Sequence, residues 1–239
     1  KADLLQLYFN DGSGNFTKAD WTDGNWLDEN GQPIRKAFWD LGLSVMIRDV
    51  NQDGRPDIYV CNDFQTPDRF WINQGDGKFR LISEMALRHR SYFAMAVDFA
   101  DINRDGHDDF FVADMMSPTH LLEMTQIMIT NPLAKPIDEL IDRPIIHRNT
   151  LLVNRGDNSY MDTANFSGVA ATEWTWGATF LDVDLDGLVV LEALVDVGGD
   201  LGGEKFVAGL GEDTRDVERH IARADDDRVI GVIDDLIGV

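Results

Sequence analysis

The loop motif Asp49-Val50-Asn51-Gln52-Asp53-Gly54-Arg55-Pro56-Asp57 is followed directly by the apolar run Ile58-Tyr59-Val60. It recurs as Asp101-Ile102-Asn103-Arg104-Asp105-Gly106-His107-Asp108-Asp109 before Phe110-Phe111-Val112. A third copy, Asp182-Val183-Asp184-Leu185-Asp186-Gly187, starts in the same way and then departs from the pattern. Self-similarity of this kind is the sequence signature of a repeat architecture.

A second motif lies upstream of each loop and supports the repeat. It reads Leu7-Tyr8-Phe9-Asn10-Asp11-Gly12-Ser13-Gly14-Asn15-Phe16, then Phe70-Trp71-Ile72-Asn73-Gln74-Gly75-Asp76-Gly77-Lys78-Phe79, then Leu151-Leu152-Val153-Asn154-Arg155-Gly156-Asp157-Asn158-Ser159-Tyr160. The second and third copies both lie 28 residues before the next loop, measured from the Asn to the first loop Asp. The first lies 39 residues before its loop, and the polar stretch 22–32 fits the excess as an insertion.

Each repeat unit predicts short strands joined by turns. An apolar run that ends in Asn and a Gly-rich turn is typical of a β-hairpin. A repeat of about 50 residues that contains only short strands is typical of a β-propeller. We therefore expect an all-β fold, a propeller fragment of about three blades, with units at 7–63, 70–115 and 151–187.

Two further patterns refine this fold. Residues 116–149 interrupt the repeat, and the spacing of their apolar residues predicts a helical insertion, in which Met115, Met116, Met124 and Met128 either pack on the sheet or line a partner groove. In the third unit, Trp174, Trp176, Ala178 and Phe180 alternate along one strand face, and we expect them to pack between sheets rather than to bind a ligand.

The two complete loops suit a hard cation. Calcium takes six to eight oxygen ligands in flexible geometry, and the loops offer oxygens at positions one, three, five and nine, a glycine at position six and a backbone carbonyl at position seven. The predicted ligands are Asp49, Asn51, Asp53, the carbonyl of Arg55 and Asp57 in the first loop, and Asp101, Asn103, Asp105, the carbonyl of His107 and Asp109 in the second.

An EF-hand, a dockerin-like loop, a magnesium site and a metal-free turn are the alternatives to a structural calcium loop. An EF-hand requires Glu at position twelve, and Val60 and Val112 stand there; a dockerin-like loop also requires an acid at that position. Magnesium prefers strict octahedral sites. The main alternative is a turn rich in Asp and Asn that needs no metal. In the third loop position nine is Val190, so that Asp182, Asp184 and Asp186 form either a weak site or none.

The paired motifs resemble the FG-GAP or VCBS repeat, which builds the propellers of integrin α-subunits and of many exported bacterial proteins. The closest agreement is at 73–79 together with 101–109. Residues 111–116 and 173–177 also resemble the subgroup that includes cartilage acidic protein and its ASPIC/UnbV-associated relatives. The resemblance implies a propeller, typically of seven blades, with structural calcium in the blade loops and partner surfaces elsewhere.

Residues 188–239 differ from the rest of the chain. They contain only one aromatic residue, Phe206, and carry 13 acidic against 5 basic residues. We expect an atypical acidic tail, either frameshifted or foreign to the propeller, in which the repeat does not continue into a further strand. The alternative is a genuine tail with a short helix at about 213–224.

Composition limits the partners. The chain of 239 residues has 43 acidic and 21 basic residues and a formal net charge of −22, so that it repels phosphate backbones and anionic membranes. No run of 18 apolar residues predicts a membrane span. The single cysteine, Cys61, excludes a disulfide framework. Without a Met or a signal segment at Lys1, the chain resembles a mature or excised fragment.

The function expected from these observations is a calcium-binding propeller scaffold for binding or adhesion, in which calcium is structural. Its location would be extracellular, at the cell surface or periplasmic, with a protein or glycan partner and no nucleic acid. The alternatives are a propeller-based hydrolase or lyase and a purely structural spacer. No catalytic motif is present, and the five histidines are scattered, so we expect no enzymatic activity.

Overall fold

The fold is all-β, as the sequence predicts. The computed structural model describes residues 6–64, 66–121, 144–182, 185, 189–195, 205–210 and 229–233. In chain order the strands are β1 (Tyr8–Asn10), β2 (Phe16–Lys18), β3 (Trp26–Leu27), β4 (Gly42–Arg48), β5 (Asp57–Asn62), β6 (Arg69–Gly75), β7 (Lys78–Leu81), β8 (Arg90–Ser91), β9 (Ala96–Ala100), β10 (Asp109–Ala113), β11 (Met115–Met116), β12 (Ile145–Ile146), β13 (Thr150–Asn154), β14 (Tyr160–Asp162), β15 (Glu173–Leu181), β16 (Val190–Val195), β17 (Lys205–Leu210) and β18 (Val229–Ile233).

Three larger sheets carry the repeat. In the first sheet β4, β5, β6 and β7 form an antiparallel meander, and β3 joins the outer edge in parallel with β7. In the second sheet β9, β10, β13 and β14 form the same meander. The third has the order β11-β15-β16-β17-β18. Two small pairs, β1–β2 and β8–β12, complete the described structure.

The sheets begin at a different point of the repeat from the units defined in the sequence. Each meander contains an acidic loop and the hairpin that follows it, whereas the units 7–63, 70–115 and 151–187 begin with a hairpin and have the acidic loop after it. A periodic sequence does not show where each repeat unit begins, so the repeat alone does not predict the boundaries of the sheets. The hairpin motifs themselves form as predicted, at β1–β2, β6–β7 and β13–β14.

The sheets stack face to face, as blades of a propeller do. The first strands of the three sheets, β4, β9 and β15, contact one another in series. Strand β5 is buried on both faces, with Tyr59 in the cluster shared with the second sheet and Ile58 in a cluster that includes Ala19, Trp26 and Ile34 from the N-terminal part of the chain. Likewise, Phe110 points to the first sheet and Phe111 to the third. The sheets do not close into a ring among the described residues, which gives an open, propeller-like stack.

Aromatic residues fill the space between the first two sheets. Phe110 is fully buried; its ring stacks on Phe99 with centroids 4.8 Å apart and meets Tyr59 at 5.1 Å and Tyr160 at 5.0 Å. Offset and edge-to-face pairs of this kind add about 0.5–1.5 kcal/mol each to the burial of their surface. This cluster fixes the first two sheets against each other.

The third sheet corrects two expectations. The prediction that the repeat ends without a further strand is wrong, because β16 follows the third loop and pairs antiparallel with β15. The strand face is also interrupted: Ala178 and Phe180 pack toward the second sheet, but Trp176 is 51% exposed. A register shift between Thr175 and Gly177 moves Trp176 off the buried face.

Parts of the predicted insertion and tail lie outside the described residues. At the ends of 116–149, Met116 lies in β11 and Ile145–Ile146 pairs in parallel with β8, while His120 and Leu121 have helical backbone. Residues 122–143, with Met124 and Met128, and the helix expected at 213–224 are outside the described part of the chain. In the tail, β17 and β18 run parallel, unlike the meanders of the first two sheets.

Two buried carboxylates stabilise the first sheet at the end opposite its acidic loop. Asp40 pairs with Arg69 at 2.9 Å, and both side chains are buried. Asp68 is 1% exposed; its Oδ1 accepts the Asn62 N–H and its Oδ2 accepts the Tyr59 hydroxyl, both at 2.8 Å. Burial raises the pKa of Asp68 to about 7.

We predict that Asp68→Asn reduces the loss of stability between pH 5 and pH 8. Because the pKa of Asp68 is higher in the folded state than its ordinary value, folding takes up a proton, and stability falls as the pH rises toward about 7. The urea unfolding free energy of the variant should therefore fall less than that of the unmodified protein, by on the order of 2 kcal/mol. The exposed Asp76→Asn is the control, and equal slopes in all three proteins would refute the prediction.

Candidate metal centre

The first acidic loop is a compact turn held by its own side chains. Oδ1 of Asp49 and Oδ1 of Asn51 both accept the N–H of Asp53, at 3.0 and 3.2 Å, so these two oxygens lie close together. Oδ2 of Asp49 accepts the N–H of Gly54 at 2.8 Å. Gly54 has a φ of 80°, the left-handed conformation that the sequence predicts at position six.

The second loop repeats this arrangement atom for atom. Asp101 and Asn103 accept the N–H of Asp105, both at 3.0 Å, and Oδ2 of Asp101 accepts the N–H of Gly106 at 2.8 Å. In addition, the Asn103 amide donates to Oδ2 of Asp105 at 3.1 Å. Two loops 52 residues apart thus fold in the same way.

The residue at position four of each loop has a positive φ, which the sequence motif does not predict. Gln52, Arg104 and Leu185 all have positive φ values, of 59°, 60° and 63°. Non-glycine residues with positive φ are uncommon, and a β-branched side chain would be strained there. In the third copy only Leu185 is described at this turn; it shares the positive φ and is 86% exposed.

The position-nine aspartates connect each loop to the next hairpin. Asp57 is 1% exposed; its Oδ2 accepts the N–H of Val50 at 3.1 Å and its Oδ1 accepts the N–H of Asn73 at 2.7 Å. In the second sheet, Asp109 is fully buried and makes the same bonds to Ile102, at 3.1 Å, and Asn154, at 2.7 Å. We call these pairs, Asp57 with Asn73 and Asp109 with Asn154, the loop–hairpin clamps.

The asparagine of each clamp completes it. Asn73 donates its amide N–H to the carbonyl of Pro56 at 3.0 Å and accepts the N–H of Gly75 with Oδ1 at 3.0 Å. Asn154 donates to the carbonyl of Asp108 at 3.3 Å and accepts the N–H of Gly156 at 3.0 Å. The asparagine at the end of each hairpin strand thus shapes the turn and holds the loop at the same time.

The side chain at position seven covers the turn glycine. A Cβ at Gly75 would lie 3.6 Å from Cδ of Arg55, and a Cβ at Gly156 would lie 3.2 Å from Nε2 of His107. Both glycines also have positive φ values, of 81° and 73°. The Gly in the Asn-x-Gly sequence therefore meets a conformational requirement and allows the close approach of the loop.

The pKa values of the clamp carboxylates reflect their burial. Burial raises the pKa of Asp57 to about 6; the backbone N–H donors oppose this, and Asp53 and Asp49 add to it. For the same reasons, burial first and then Asp105 and Asp101, the pKa of Asp109 rises to about 7. Each loop thus concentrates negative charge around a carboxylate that is already costly to ionise.

Neighbouring loops contact each other across the two sheets. The guanidinium of Arg48, just before the first loop, forms a bidentate pair with Asp108 of the second, at 2.6 and 2.9 Å. Gln52 also donates its side-chain amide to the carbonyl of Gly106. The loop end of the first two sheets is therefore a single connected surface.

The donor set of both loops fits the chemistry of a hard cation. Carboxylate and amide oxygens at positions one and three converge on the backbone N–H of position five in each loop. Calcium prefers such ligands. Among the described residues, however, no three or more His, Cys, Asp or Glu side chains are grouped as a metal site requires. Calcium coordination by these loops therefore stays a prediction.

The structure describes the remaining predicted ligands to different extents. The backbone N–H groups of Arg55 and His107 donate to Asp53 and Asp105, at 3.0 and 2.8 Å, while coordination by their carbonyls stays a prediction. Asp182 is half-buried at the end of β15. Asp184 and Asp186 lie outside the described residues.

Comparison with known families agrees with this repeated geometry. Residues 49–112 match the family model described as an FG-GAP-like repeat. The chain carries an FG-GAP-like repeat. The matched segment runs from the first acidic loop to the strand after the second, so it contains one full period of 52 residues and the second copy of the loop. The relation to the cartilage acidic protein subgroup stays an expectation.

Two findings are negative. A search of curated proteins found no match to the chain. Within the part of the chain that the structure describes, no helix has the length and apolar character needed to cross a membrane.

We predict that, in a metal chelator, Asp109→Ala destabilises the protein far more than Asp105→Ala. The first change leaves the N–H groups of Ile102 and Asn154 without their carboxylate, at a cost of about 1–3 kcal/mol for each buried group. The second removes an exposed side chain whose acceptor role is local to the turn. Urea unfolding should give clearly different unfolding free energies for the two variants. Similar losses of unfolding free energy would show that the clamp carboxylate stabilises the fold no more than the exposed one.

Proposed function

We propose that this chain is a calcium-stabilised β-propeller-type repeat scaffold that presents a binding surface outside the cytoplasm. The repeat and the stacked sheets give the scaffold, and the calcium and the location are the proposed parts. The observation that carries the proposal is the agreement between the two acidic loops, in which clustered oxygens recur with the same geometry.

The charge of the loops supports a cation. Asp49, Asp53 and Asp57 lie within one nine-residue turn, and the only basic residue in that turn is Arg55, whose guanidinium donates to Asp53. Like charges at such short range repel one another strongly when they are partly removed from water. A divalent cation would neutralise them and fix the turn between two strands, so that metal binding contributes to folding.

The proposed location follows from the expected affinity. Calcium sites of extracellular modules have dissociation constants of about 10⁻⁴–10⁻³ M. A site of that strength fills where calcium is abundant and stays nearly empty in cytosol. The role of calcium in this proposal is structural, and the cation itself takes no part in recognition of the partner.

We predict that calcium raises the thermal unfolding midpoint of the purified chain. With about 5 mM free calcium and a dissociation constant of about 10⁻⁴ M, one site adds roughly 2.3 kcal/mol relative to EGTA, from RT ln(1 + [L]/Kd). The combined Asp53→Ala and Asp105→Ala variant should lose the increase. Asp20→Ala, which removes an exposed carboxylate outside the loops, should keep it.

The same experiment shows how the proposal fails. If the unmodified chain unfolds cooperatively at the same temperature in EGTA and in calcium, the loops are turns that need no metal. If magnesium at the same concentration gives an equal increase, the sites do not select calcium. Differential scanning calorimetry provides both measurements.

A further inference from the structure

A cavity of about 350 Å³ lies between the first sheet and the hairpin of the second sheet, on the side of the acidic loops. Arg55, Ile72, Gln74 and Arg80 line it from the first sheet, and Asn158 and Tyr160 from the β13–β14 hairpin. We call it the inter-sheet cavity. Its volume is near the lower end of the range of about 300–1,000 Å³ for small-molecule sites.

The cavity lining contains two arginines and one carboxylate, that of Asp53, in a chain with a formal net charge of −22. Arg55 is held in place, because its Nε donates to the carbonyl of Asn73 at 3.2 Å and its Nη2 donates to Asp53. Arg80 lies on β7 with an exposed side chain, and none of the described residues forms a salt bridge with it. Arg80 thus supplies a positive charge that no described carboxylate neutralises.

The rest of the lining is suited to a hydroxylated ligand. Asn51, Gln74 and Asn158 supply amides, which donate to and accept from hydroxyl groups. Ile72, Ile82 and other apolar residues form a surface on which the C–H face of a ring can pack. The carboxylate of Asp53 is bonded to Arg55, which leaves Arg80 as the cation that faces a ligand. Arg80, the amides and the apolar surface together match a sugar that carries a carboxylate.

We propose that the inter-sheet cavity binds a carboxylate-bearing sugar at the end of an otherwise neutral glycan, with Arg80 bound to the carboxylate. The net charge of the chain opposes a polyanion, so a single terminal carboxylate is favoured over a uniformly acidic polysaccharide or a nucleic acid. This inference rests on the proposed function as a binding scaffold, and it names the chemistry of the partner.

The test is calorimetric titration of the full chain with 3′-sialyllactose, with lactose as the neutral probe. We expect sialyllactose to bind and lactose to bind at least about tenfold more weakly, because a charge-assisted arginine–carboxylate contact contributes about that factor or more. Arg80→Gln should weaken sialyllactose binding by a similar factor. Lys78→Gln removes an equal charge two residues away on the same strand, outside the cavity lining, and should change the affinity less than about twofold.

Each result decides the proposal. Absence of sialyllactose binding, equal binding of lactose, or an equal effect of Lys78→Gln and Arg80→Gln would overturn it. Unchanged unfolding midpoints of both variants show that the fold is intact. Titration in EGTA and in calcium separates the two proposals: a calcium-dependent midpoint without sugar binding rejects only the cavity proposal, and sugar binding without a calcium effect rejects only the calcium proposal.

Discussion

Two buried carboxylates, those of Asp57 and Asp109, determine how each acidic loop joins its sheet. Both oxygens of each carboxylate accept backbone N–H groups, one from the loop and one from the hairpin of the same sheet. A buried carboxylate is costly without such donors, and the raised pKa values of about 6 and about 7 show that the cost is only partly offset. The shape of the loop and the position of the hairpin in each of the first two sheets depend on these clamps.

The clamps also separate two roles within one motif. The aspartate at position nine is buried and bonded to backbone, whereas the side chains at positions one, three and five are half-buried or exposed. The predicted cation ligands include both kinds of side chain, and their coordination stays a prediction. Because Arg48 and Asp108 join the two loops, a cation in either loop would act on a surface that both sheets share.

The sequence predicts the local parts of this structure well and the long-range parts poorly. The loops, the Asn-x-Gly hairpins and the all-β class follow from motifs whose residues are adjacent in the chain. The bond from Asn73 to Asp57 spans 16 residues and the pair of Arg69 with Asp40 spans 29, and both depend on strand register, which the sequence does not reveal. The bulge that exposes Trp176 escapes prediction for the same reason, since strict alternation assumes an uninterrupted strand.

The most direct test of the clamps is hydrogen exchange of individual backbone amides, measured by NMR in a metal chelator. If the clamps hold the sheets, the N–H groups of Asn73 and Asn154 should exchange as slowly as those in the centres of β5 and β10, through global unfolding. The N–H groups of Gly75 and Gly156, which bond to a local side chain in the turn, should exchange much faster. Equally fast exchange at Asn73, Asn154 and these two glycines would contradict the account.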